Sequence, residues 1–209
     1  MNILEPQQMY FKELKNSKLN GIMSETNIEQ CNFSDEECSK ELWDIKFEYC
    51  KFNHIYMQNG KLYKVMFRDV IFENCDFSNT EFIESTFIRC RFDNCKLSGC
   101  NFSENRLYNV TFLETNASYA NLSMASIENI LFKDTNLRSS YFQETKIKNV
   151  YFENVDLTQT QFFKTSLKNI DLSNSNIEGI AISIDDIKGA IIDQLQAMDL
   201  LYLIGVKVK

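Results

Sequence analysis

The chain has 209 residues, a formal net charge of −7 and a single histidine, and 44% of its residues are hydrophobic. It contains no secretory signal and no apolar run of roughly 18 residues, so we expect no membrane span and a cytoplasmic protein. We expect one domain with two caps: an N-terminal arm over 1–20, a repeat body over 21–189 and a C-terminal cap over 190–209.

The N-terminal arm lacks any repeat, and we predict a short extended segment or helix over the first coil of the body. The body begins with four apolar residues spaced five apart, at Met23, Ile28, Phe33 and Cys38. The five-residue spacing that starts at Leu42 is out of step with these four residues. We interpret the displacement as an extra residue near 39–41 that forms a bulge or small loop. Residues 53–63, where the repeat is weakest, are a second place for an outward loop.

Every fifth residue from Leu42 to Ile192 is apolar. Neither a helix, with a period near 3.6, nor a strand, with a period of 2, produces this spacing. The residue two places earlier is small or β-branched, as at Val70 and Cys90. Two inward positions separated by two residues fit an extended segment. The body is therefore predicted to be a solenoid, because each unit buries its apolar side chains only by stacking on further copies.

Asparagine often lies two residues after the central apolar position, as at Asn74 and Asn94. Its tolerance of left-handed backbone suits a corner. Five-residue sides with corners close after four sides, which predicts a square coil of 20 residues. Coils of this kind stack about 4.8 Å apart. Residues 20 apart then form a ladder inside the body, and one such ladder is Phe72, Phe92, Phe112, Phe132 and Phe152.

The C-terminal cap begins with Asp193 and Gln196, a spacing that predicts a helix with a capping box. Gly205 ends the helix, and Val206–Val208 is predicted to add a short strand. Open strand edges at a solenoid end invite uncontrolled stacking. This cap is too apolar to face water, so we predict that it pairs with a second copy. The predicted dimer interface consists of Leu195, Met198, Leu200, Leu201, Tyr202, Leu203, Ile204, Val206 and Val208.

The residues that usually carry chemistry are scarce or point inward. All seven cysteines occupy inward positions of the repeat, which predicts buried free thiols in a reducing compartment. No two cysteines are closer than five positions apart, so we expect no zinc site. His54 lies on an outward position, and no nucleophile elbow, phosphate-binding loop or zinc-protease motif occurs. We therefore expect no enzyme activity, no metal or cofactor and no small-molecule substrate.

The charges separate when the sequence is folded into four walls. Wall 1 contains 40–44 and the segments that follow at intervals of 20, and walls 2, 3 and 4 begin in the same way at 45, 50 and 55. Wall 2 is net basic, but its sparse charges lack an aromatic platform, so we expect no direct binding of nucleic acid. The other walls are net acidic, and a straight acidic rod could bind a DNA-binding protein by imitating DNA. The residues predicted to face such a partner are Asp44, Glu73, Glu81, Glu84, Asp93, Glu104, Glu114, Asp134, Glu144 and Glu153.

The units Cys75–Asn79, Cys100–Glu104 and Ala120–Met124 resemble the pentapeptide-repeat signature, and the resemblance covers residues 22–192. It implies an all-β fold, a right-handed quadrilateral β-helix with a short C-terminal helix. The ending, from Gly189 to Val208, is similar to that of Qnr-type proteins, above all those of Gram-positive bacteria. That resemblance implies a homodimer joined at its C-terminal ends, which imitates DNA, binds DNA gyrase and topoisomerase IV and protects them from fluoroquinolones.

Two other functions fit a solenoid of this kind. One is a scaffold that binds an unrelated protein, in which case the charges are simply scattered over a solvated surface. The other is ice binding, which requires a flat array of threonines on an outer wall. We set the second aside because the threonines lie mostly at inward positions, as at Thr80 and Thr115.

Overall fold

Short parallel strands, stacked coil upon coil, build the body of the protein. The computed structural model describes residues 3–39 and 41–206, apart from the side chain of Ile204. The described strands are β1 (Lys15–Asn16), β2 (Asn27–Glu29), β3 (Cys31–Glu37), β4 (Leu42–Trp43), β5 (Lys46–Glu48), β6 (Lys51–Tyr56), β7 (Lys61–Tyr63), β8 (Met66–Glu73), β9 (Glu81–Ile83), β10 (Thr86–Asp93), β11 (Arg106–Leu113), β12 (Ser126–Lys133) and β13 (Lys146–Glu153). The described α-helices are α1 (Ile184–Ile187) and α2 (Gln194–Leu200), and 3-10 turns lie at Gln8–Phe11, Leu19–Gly21 and Leu201–Ile204.

Strands of successive coils pair in parallel and in register. From β8 to β13 the paired residues are 20 positions apart, so that Phe67 pairs with Phe87 and Phe87 with Leu107. One sheet of 10 strands contains β8 to β13 apart from β9, and a 3-stranded sheet contains β4, β7 and β9. The predicted solenoid with a 20-residue coil is therefore confirmed.

A left-handed residue makes each corner. From Asp44 to Asn169 every fifth residue has a positive φ, for example 53° at Asn74 and 49° at Asn94. Asparagine is frequent at these corners, but Tyr49 and Arg89 adopt the same conformation. Left-handed backbone is unfavourable for residues other than glycine and asparagine. The hydrogen bonds between coils must therefore offset this strain.

A five-residue unit forms either a turn or a short strand, and this difference goes together with the residue that comes just before its central apolar position. On wall 4 the Asp76 carboxylate accepts a hydrogen bond from Ser78 N at 3.0 Å, and Thr80 N closes a turn onto Phe77 O at 2.8 Å. Such side-chain acceptors stabilise turns. On wall 1 the 3-stranded sheet ends at β9, and in the next coil Asn101 begins the same turn by accepting from Ser103 N at 3.0 Å.

Phenylalanine rings fill the centre of the coils. The rings of Phe72, Phe92, Phe112, Phe132 and Phe152 stack nearly in parallel, with centroids 4.5, 5.0, 4.8 and 5.5 Å apart. Every ring of this ladder is buried. The inward threonines are also buried, including Thr80 and Thr115. A close-packed interior of this kind leaves the outer walls and the two ends as the surfaces available for function.

The seven cysteines are free thiols, and only Cys31 among them is partly exposed. Each of the others occupies the interior, where Cys100 Sγ lies 2.8 Å from Phe77 O and Cys90 Sγ lies 3.3 Å from Phe67 O. Burial raises the pKa of Cys50 and of Cys90 to about 12, so both remain neutral thiols near pH 7. These cysteines therefore act as small apolar side chains with a weak donor.

The first coil is shorter than the coils that follow. Ile28 pairs with Phe47 and Phe33 with Phe52, which are 19 positions apart instead of 20. The prediction of an extra residue near 39–41 is therefore wrong, because the first coil has one residue fewer there than the coils that follow. The second suggested loop is also absent from the described residues, since 53–63 follows the regular coil and Asn59 N donates to Ser78 O at 2.9 Å.

The N-terminal arm contacts both the end and the side of the solenoid. Strand β1 pairs with β3, and the buried Leu19 donates its N–H to Glu36 Oε1 at 2.9 Å. Residues 4–7 run along the side, where Leu4 N donates to Asn109 Oδ1 at 3.1 Å and Gln7 N donates to Asp69 Oδ1 at 3.2 Å. The arm therefore reaches a coil whose residues lie about one hundred positions later in the sequence.

A buried ion pair lies beneath the arm. The side chain of Asp69 has no exposed surface, and Arg89 Nε and Nη2 donate to its two oxygens at 2.8 and 2.6 Å. The Asp69 side chain raises the pKa of Arg89 through these hydrogen bonds. Bidentate pairs of this kind satisfy both carboxylate oxygens at once. The pair therefore joins two coils and also anchors Gln7.

We expect the substitution Phe112→Ala to lower the free energy of unfolding by about 3–5 kcal/mol, because its ring stacks on both Phe92 and Phe132. Urea denaturation followed by circular dichroism measures this change. Tyr108→Ala on the same strand is the control, and its exposed side chain should make the loss less than about 0.5 kcal/mol. Equal losses in the two variants would contradict the proposed role of the ladder.

The substitution Arg89→Met should lower the free energy of unfolding by about 3–5 kcal/mol, because it leaves the Asp69 carboxylate buried without a cation. The double variant Asp69→Asn with Arg89→Met removes both charges and should recover part of that loss. Urea denaturation of the two variants and the parent chain makes the comparison. A single variant as stable as the parent would show that the pair contributes little.

Candidate functional site

The described residues contain no group of three or more histidine, cysteine, aspartate or glutamate side chains placed to hold a metal ion. His54 lies at the surface, with its Nδ1 3.8 Å from Asp35 Oδ1. Within the described part of the chain no helix is both long and apolar enough to cross a membrane. The surfaces that remain to be considered are the charged walls and the C-terminal end.

Six of the ten acidic residues predicted to face a partner form ion pairs with cations of this chain. Most of these pairs join neighbouring coils, as where Glu73 lies 2.8 Å from Lys51 and Glu144 lies 2.7 Å from Lys164. The others are Glu81 with Lys61, Glu84 with Lys64, Asp93 with Arg91 and Glu153 with Lys133, at 3.6, 3.9, 2.6 and 3.9 Å. Much of the acidity counted along the walls is therefore compensated locally.

The other four acidic residues, Asp44, Glu104, Glu114 and Asp134, are exposed and make no ion pair with any described residue. All four are corner residues with a positive φ. Glu114 and Asp134 occupy the corner between walls 3 and 4 in successive coils, about 4.8 Å apart along the axis. Asp134 Oδ1 accepts a hydrogen bond from Asn154 Nδ2 at 2.6 Å. We call Glu114 and Asp134 the acidic corner, because these two neighbouring carboxylates have no cation to compensate their charge.

Three of the seven cations of the basic wall are compensated in the same way. Arg68 lies 2.9 Å from Glu48, and Lys148 lies 2.6 Å from Glu128 in the preceding coil. Arg89 is held by the buried Asp69. Both partners of each pair lie on wall 2 in successive coils, because they are 20 residues apart. The other four cations of this wall, Lys46, Arg106, Lys146 and Lys168, are exposed and make no ion pair with any described residue, so the wall keeps its net positive charge.

The C-terminal cap is fastened to the body through Gln196. The predicted capping box is present: Gln196 N donates to Asp193 Oδ1 at 2.8 Å, and Asp193 N donates to Gln196 Oε1 at 2.9 Å. The buried Gln196 Nε2 also donates to Leu172 O and Ser175 O at 2.7 and 2.6 Å. The predicted helix is therefore confirmed, and the Gln196 side chain of its capping box also satisfies carbonyl groups of the last coils. Gly205, with a φ of 73°, ends the 3-10 turn that follows.

The residues of the predicted dimer interface divide into two sets. Leu195 and Met198 on α2 are 79% and 52% exposed, and Tyr202 and Val206 are also exposed. Leu200, Leu201 and Leu203 are partly buried, and Leu200 and Leu203 pack against the core of the body. The Ile204 side chain and Val208 lie outside the described residues, as does most of the predicted strand Val206–Val208.

The structure adds apolar residues that the sequence did not indicate for this end. Phe163 is exposed, and it lines a shallow depression together with Ile180 and Tyr202. Tyr202 Oη donates to Ile180 O, which holds its ring in that position. Ile184 and Ile191 are exposed on the same terminal segment. Each is a single apolar residue within an otherwise regular repeat, so periodicity does not single it out.

Two models of one family match the chain, "Pentapeptide repeats (8 copies)" at residues 61–99 and "Pentapeptide repeat region" at residues 85–162. Together with the regular 20-residue coils, these matches decide the family. The chain is a pentapeptide-repeat protein. No curated protein is similar enough to this pentapeptide-repeat protein to be counted as a relative.

Several solved structures are similar to this pentapeptide-repeat protein. A trypsin-treated point variant of QnrB1, described as a plasmid-mediated fluoroquinolone resistance protein, is 21% identical with a TM-score of 0.46, over 94% of this chain and 100% of that one. Full-length QnrB1 is 20% identical with a TM-score of 0.40, over 92% and 95% of the two chains. HetL from the cyanobacterium Nostoc sp. strain PCC 7120, involved in regulating heterocyst differentiation, is 12% identical with a TM-score of 0.46, over 83% and 92%.

Proposed function

We propose that this pentapeptide-repeat protein binds the type II topoisomerases, DNA gyrase and topoisomerase IV, and protects them from fluoroquinolones. The resemblance of residues 189–208 to the ending of Qnr-type proteins supports this choice of partner. The observation that carries the proposed contact is the acidic corner, because Glu114 and Asp134 present uncompensated carboxylates on a straight body. DNA-binding surfaces of proteins are basic, and two carboxylates in successive coils are suited to meet such a surface.

The charge density of this body is lower than that of DNA. Duplex DNA carries one negative charge for about every 1.7 Å of its axis, or roughly three charges over the rise of one coil. This chain has a net charge of −7 over its whole length, and six of the ten acidic residues assigned to the contact are ion-paired. The proposed imitation therefore relies on the shape of the rod and on a few carboxylates. Its binding to gyrase should depend on salt much less steeply than the binding of DNA does.

The test is a gyrase supercoiling assay in the presence of ciprofloxacin, with the purified protein titrated in and a parallel series without the drug. Restored supercoiling at low protein concentration is the expected result. Inhibition of supercoiling in both series would mean that the protein binds gyrase for a purpose other than protection. No effect in either series, together with pull-downs that recover another protein, would favour the scaffold function.

Neutralising the acidic corner with Glu114→Gln and Asp134→Asn should raise the protein concentration needed for half-maximal rescue by about tenfold, since each lost contact of an exposed charge is worth up to ~1 kcal/mol. The matched control is Glu81→Gln with Glu144→Gln, which changes the net charge equally but at ion-paired sites. It should change the rescue little. Equal effects of the two double variants would show that net charge matters and the acidic corner does not.

We further propose that two copies join through the C-terminal end. The side chains of Leu195 and Met198 on α2, and those of Phe163 and Tyr202, are exposed, and association at this end would remove their apolar surface from water. We propose a cytoplasmic location without catalytic activity, which suits a protein whose six buried cysteines remain free thiols.

The double variant Leu195→Glu with Met198→Glu should convert a dimer into a monomer, because it places two charges in the proposed apolar interface. Size-exclusion chromatography with light scattering gives the molecular mass. Tyr119→Glu with Met124→Glu is the control, since both side chains are also exposed but lie on the middle of the body. Retention of the dimer by the first variant, or its loss in the control, would contradict the C-terminal interface.

A further inference from the structure

The ladder of backbone hydrogen bonds on walls 2 and 3 stops one coil before the body ends. At the corner of wall 3 the bonds run from Asn74 N to Asp93 O, Asn94 N to Leu113 O, Glu114 N to Lys133 O and Asp134 N to Glu153 O, at 3.0, 3.0, 3.1 and 2.9 Å. Among the described residues no corresponding bond joins Asn154 to Ser173. Strand β13 thus pairs with β12 on one edge, and its other edge has no described partner.

Wall 2 shows the same interruption at the same height. Its bonds run from Thr86 N to Val65 O, Arg106 N to Ser85 O, Ser126 N to Asn105 O and Lys146 N to Ala125 O, at 3.0, 3.3, 2.9 and 2.9 Å. The series has no further member from Ser166 to Thr145 within the described chain. Two independent columns of hydrogen bonds therefore end between β13 and residues 166–174.

The two coils remain joined on the opposite side. Leu157 N donates to Asn176 O at 2.7 Å, Asn176 N to Val155 O at 2.9 Å and Phe162 N to Ala181 O at 2.8 Å. The coils therefore separate on walls 2 and 3 only. The result is a one-sided cleft of about 470 Å³, with β13 on one side and residues 166–174 on the other.

A change of local backbone accompanies the separation. Strand β13 is extended, whereas Ile170 N closes a turn onto Leu167 O at 3.0 Å, and Asp171 Oδ1 accepts from Ser173 N at 2.9 Å. The turn alone does not force the coils apart. On wall 1 the same change from strand to turn leaves Phe82 N bonded to Asn101 O at 2.9 Å. The segment above the cleft is instead held by the cap, where Leu172 N donates to Ile191 O at 2.8 Å.

We propose that this cleft binds an extended segment of a partner polypeptide, which adds to the open edge of β13 as a parallel strand. Unpaired N–H and C=O groups along a strand edge are the feature that strand addition uses. The bound segment continues the ladder of backbone hydrogen bonds between β13 and residues 166–174. This inference does not depend on the proposed binding to topoisomerases.

The lining of the cleft defines the sequence that fits. We number the residues of the bound segment so that position 1 lies opposite Lys146. Positions 2, 5 and 7 then continue the inward columns of Ile147, Val150 and Phe152 and must be apolar. Position 4 lies at the corner formed by Asn149, whose φ is 51°, so asparagine or glycine suits it. These requirements describe an extended peptide with three inward apolar side chains and a sharp central bend.

The rim of the cleft adds a requirement for charge. Position 3 lies between Lys148 and Lys168 and should be acidic, and position 8 lies beside Glu153 and should be basic. Strand β12 shows this complementarity on the opposite edge of β13, where Glu128 lies 2.6 Å from Lys148 and Lys133 lies 3.9 Å from Glu153. The sequence of β12, residues 126–133, therefore meets every requirement of the cleft and is the natural probe.

A fluorescein-labelled peptide with the sequence of residues 126–133 is titrated with the full-length protein, and binding is followed by fluorescence anisotropy. We expect saturable binding. The control peptide has the same composition but carries lysine at position 3 and glutamate at position 8. It should bind about tenfold more weakly, because exposed ion pairs are worth up to ~1 kcal/mol each and become repulsive contacts. The protein variant Lys148→Glu with Lys168→Glu should reverse this preference.

Hydrogen exchange measured by mass spectrometry locates the bound peptide. The amides of residues 147–154 should exchange faster than those of β12 in the free protein and become protected when the peptide is added. Protection confined to the first coil would mean that the peptide only stacks on the open end, which overturns the proposal. Absence of saturable binding, or equal binding of both peptides to the parent protein and to the variant, overturns it as well.

Discussion

The fold depends on main-chain hydrogen bonds that run along the solenoid axis and join residues 19 or 21 positions apart, which keeps successive coils in a register of 20. These bonds form only when each coil repeats the backbone of the coil below, and the left-handed corners from Asp44 to Asn169 ensure that it does. Once the backbones are in register, identical positions stack on one another. The Phe72 to Phe152 ladder and the buried threonines and cysteines follow from that stacking.

The same stacking organises the charges. A side chain on one coil has its nearest neighbours on the coils above and below, so an acid and a base at equivalent positions become an ion pair, as in Lys148 with Glu128. Exposed pairs of this kind contribute little stability. Their main effect is on the electrostatic surface, because they leave only some corner carboxylates without a cation, among them the two of the acidic corner.

The surfaces most suited to binding lie where the ladder is interrupted or ends. Between β13 and residues 166–174 the coils separate and leave a strand edge open. At the C-terminal end Gln196 satisfies carbonyl groups of the last coils, and α2 then presents Leu195 and Met198 to solvent. In the middle of the body every edge is already paired, so the walls there offer side chains only.

The sequence by itself determined the five-residue period, the 20-residue coil, the Phe ladder and the capped C-terminal helix, because each follows from a local pattern that stacking simply repeats. It misjudged the first coil: the step from Cys38 to Leu42 is four residues, one short of the period, and the pairing of Phe33 with Phe52 confirms that a residue is missing there. Only the tertiary structure decided which acids are paired, where the N-terminal arm lies and where the coils separate. The position of the arm depends on contacts between residues far apart in the chain, such as Leu4 with Asn109, which no periodic pattern encodes. Asp69 and Arg89 lie one 20-residue period apart, but only the structure shows that this pair is buried beneath the arm.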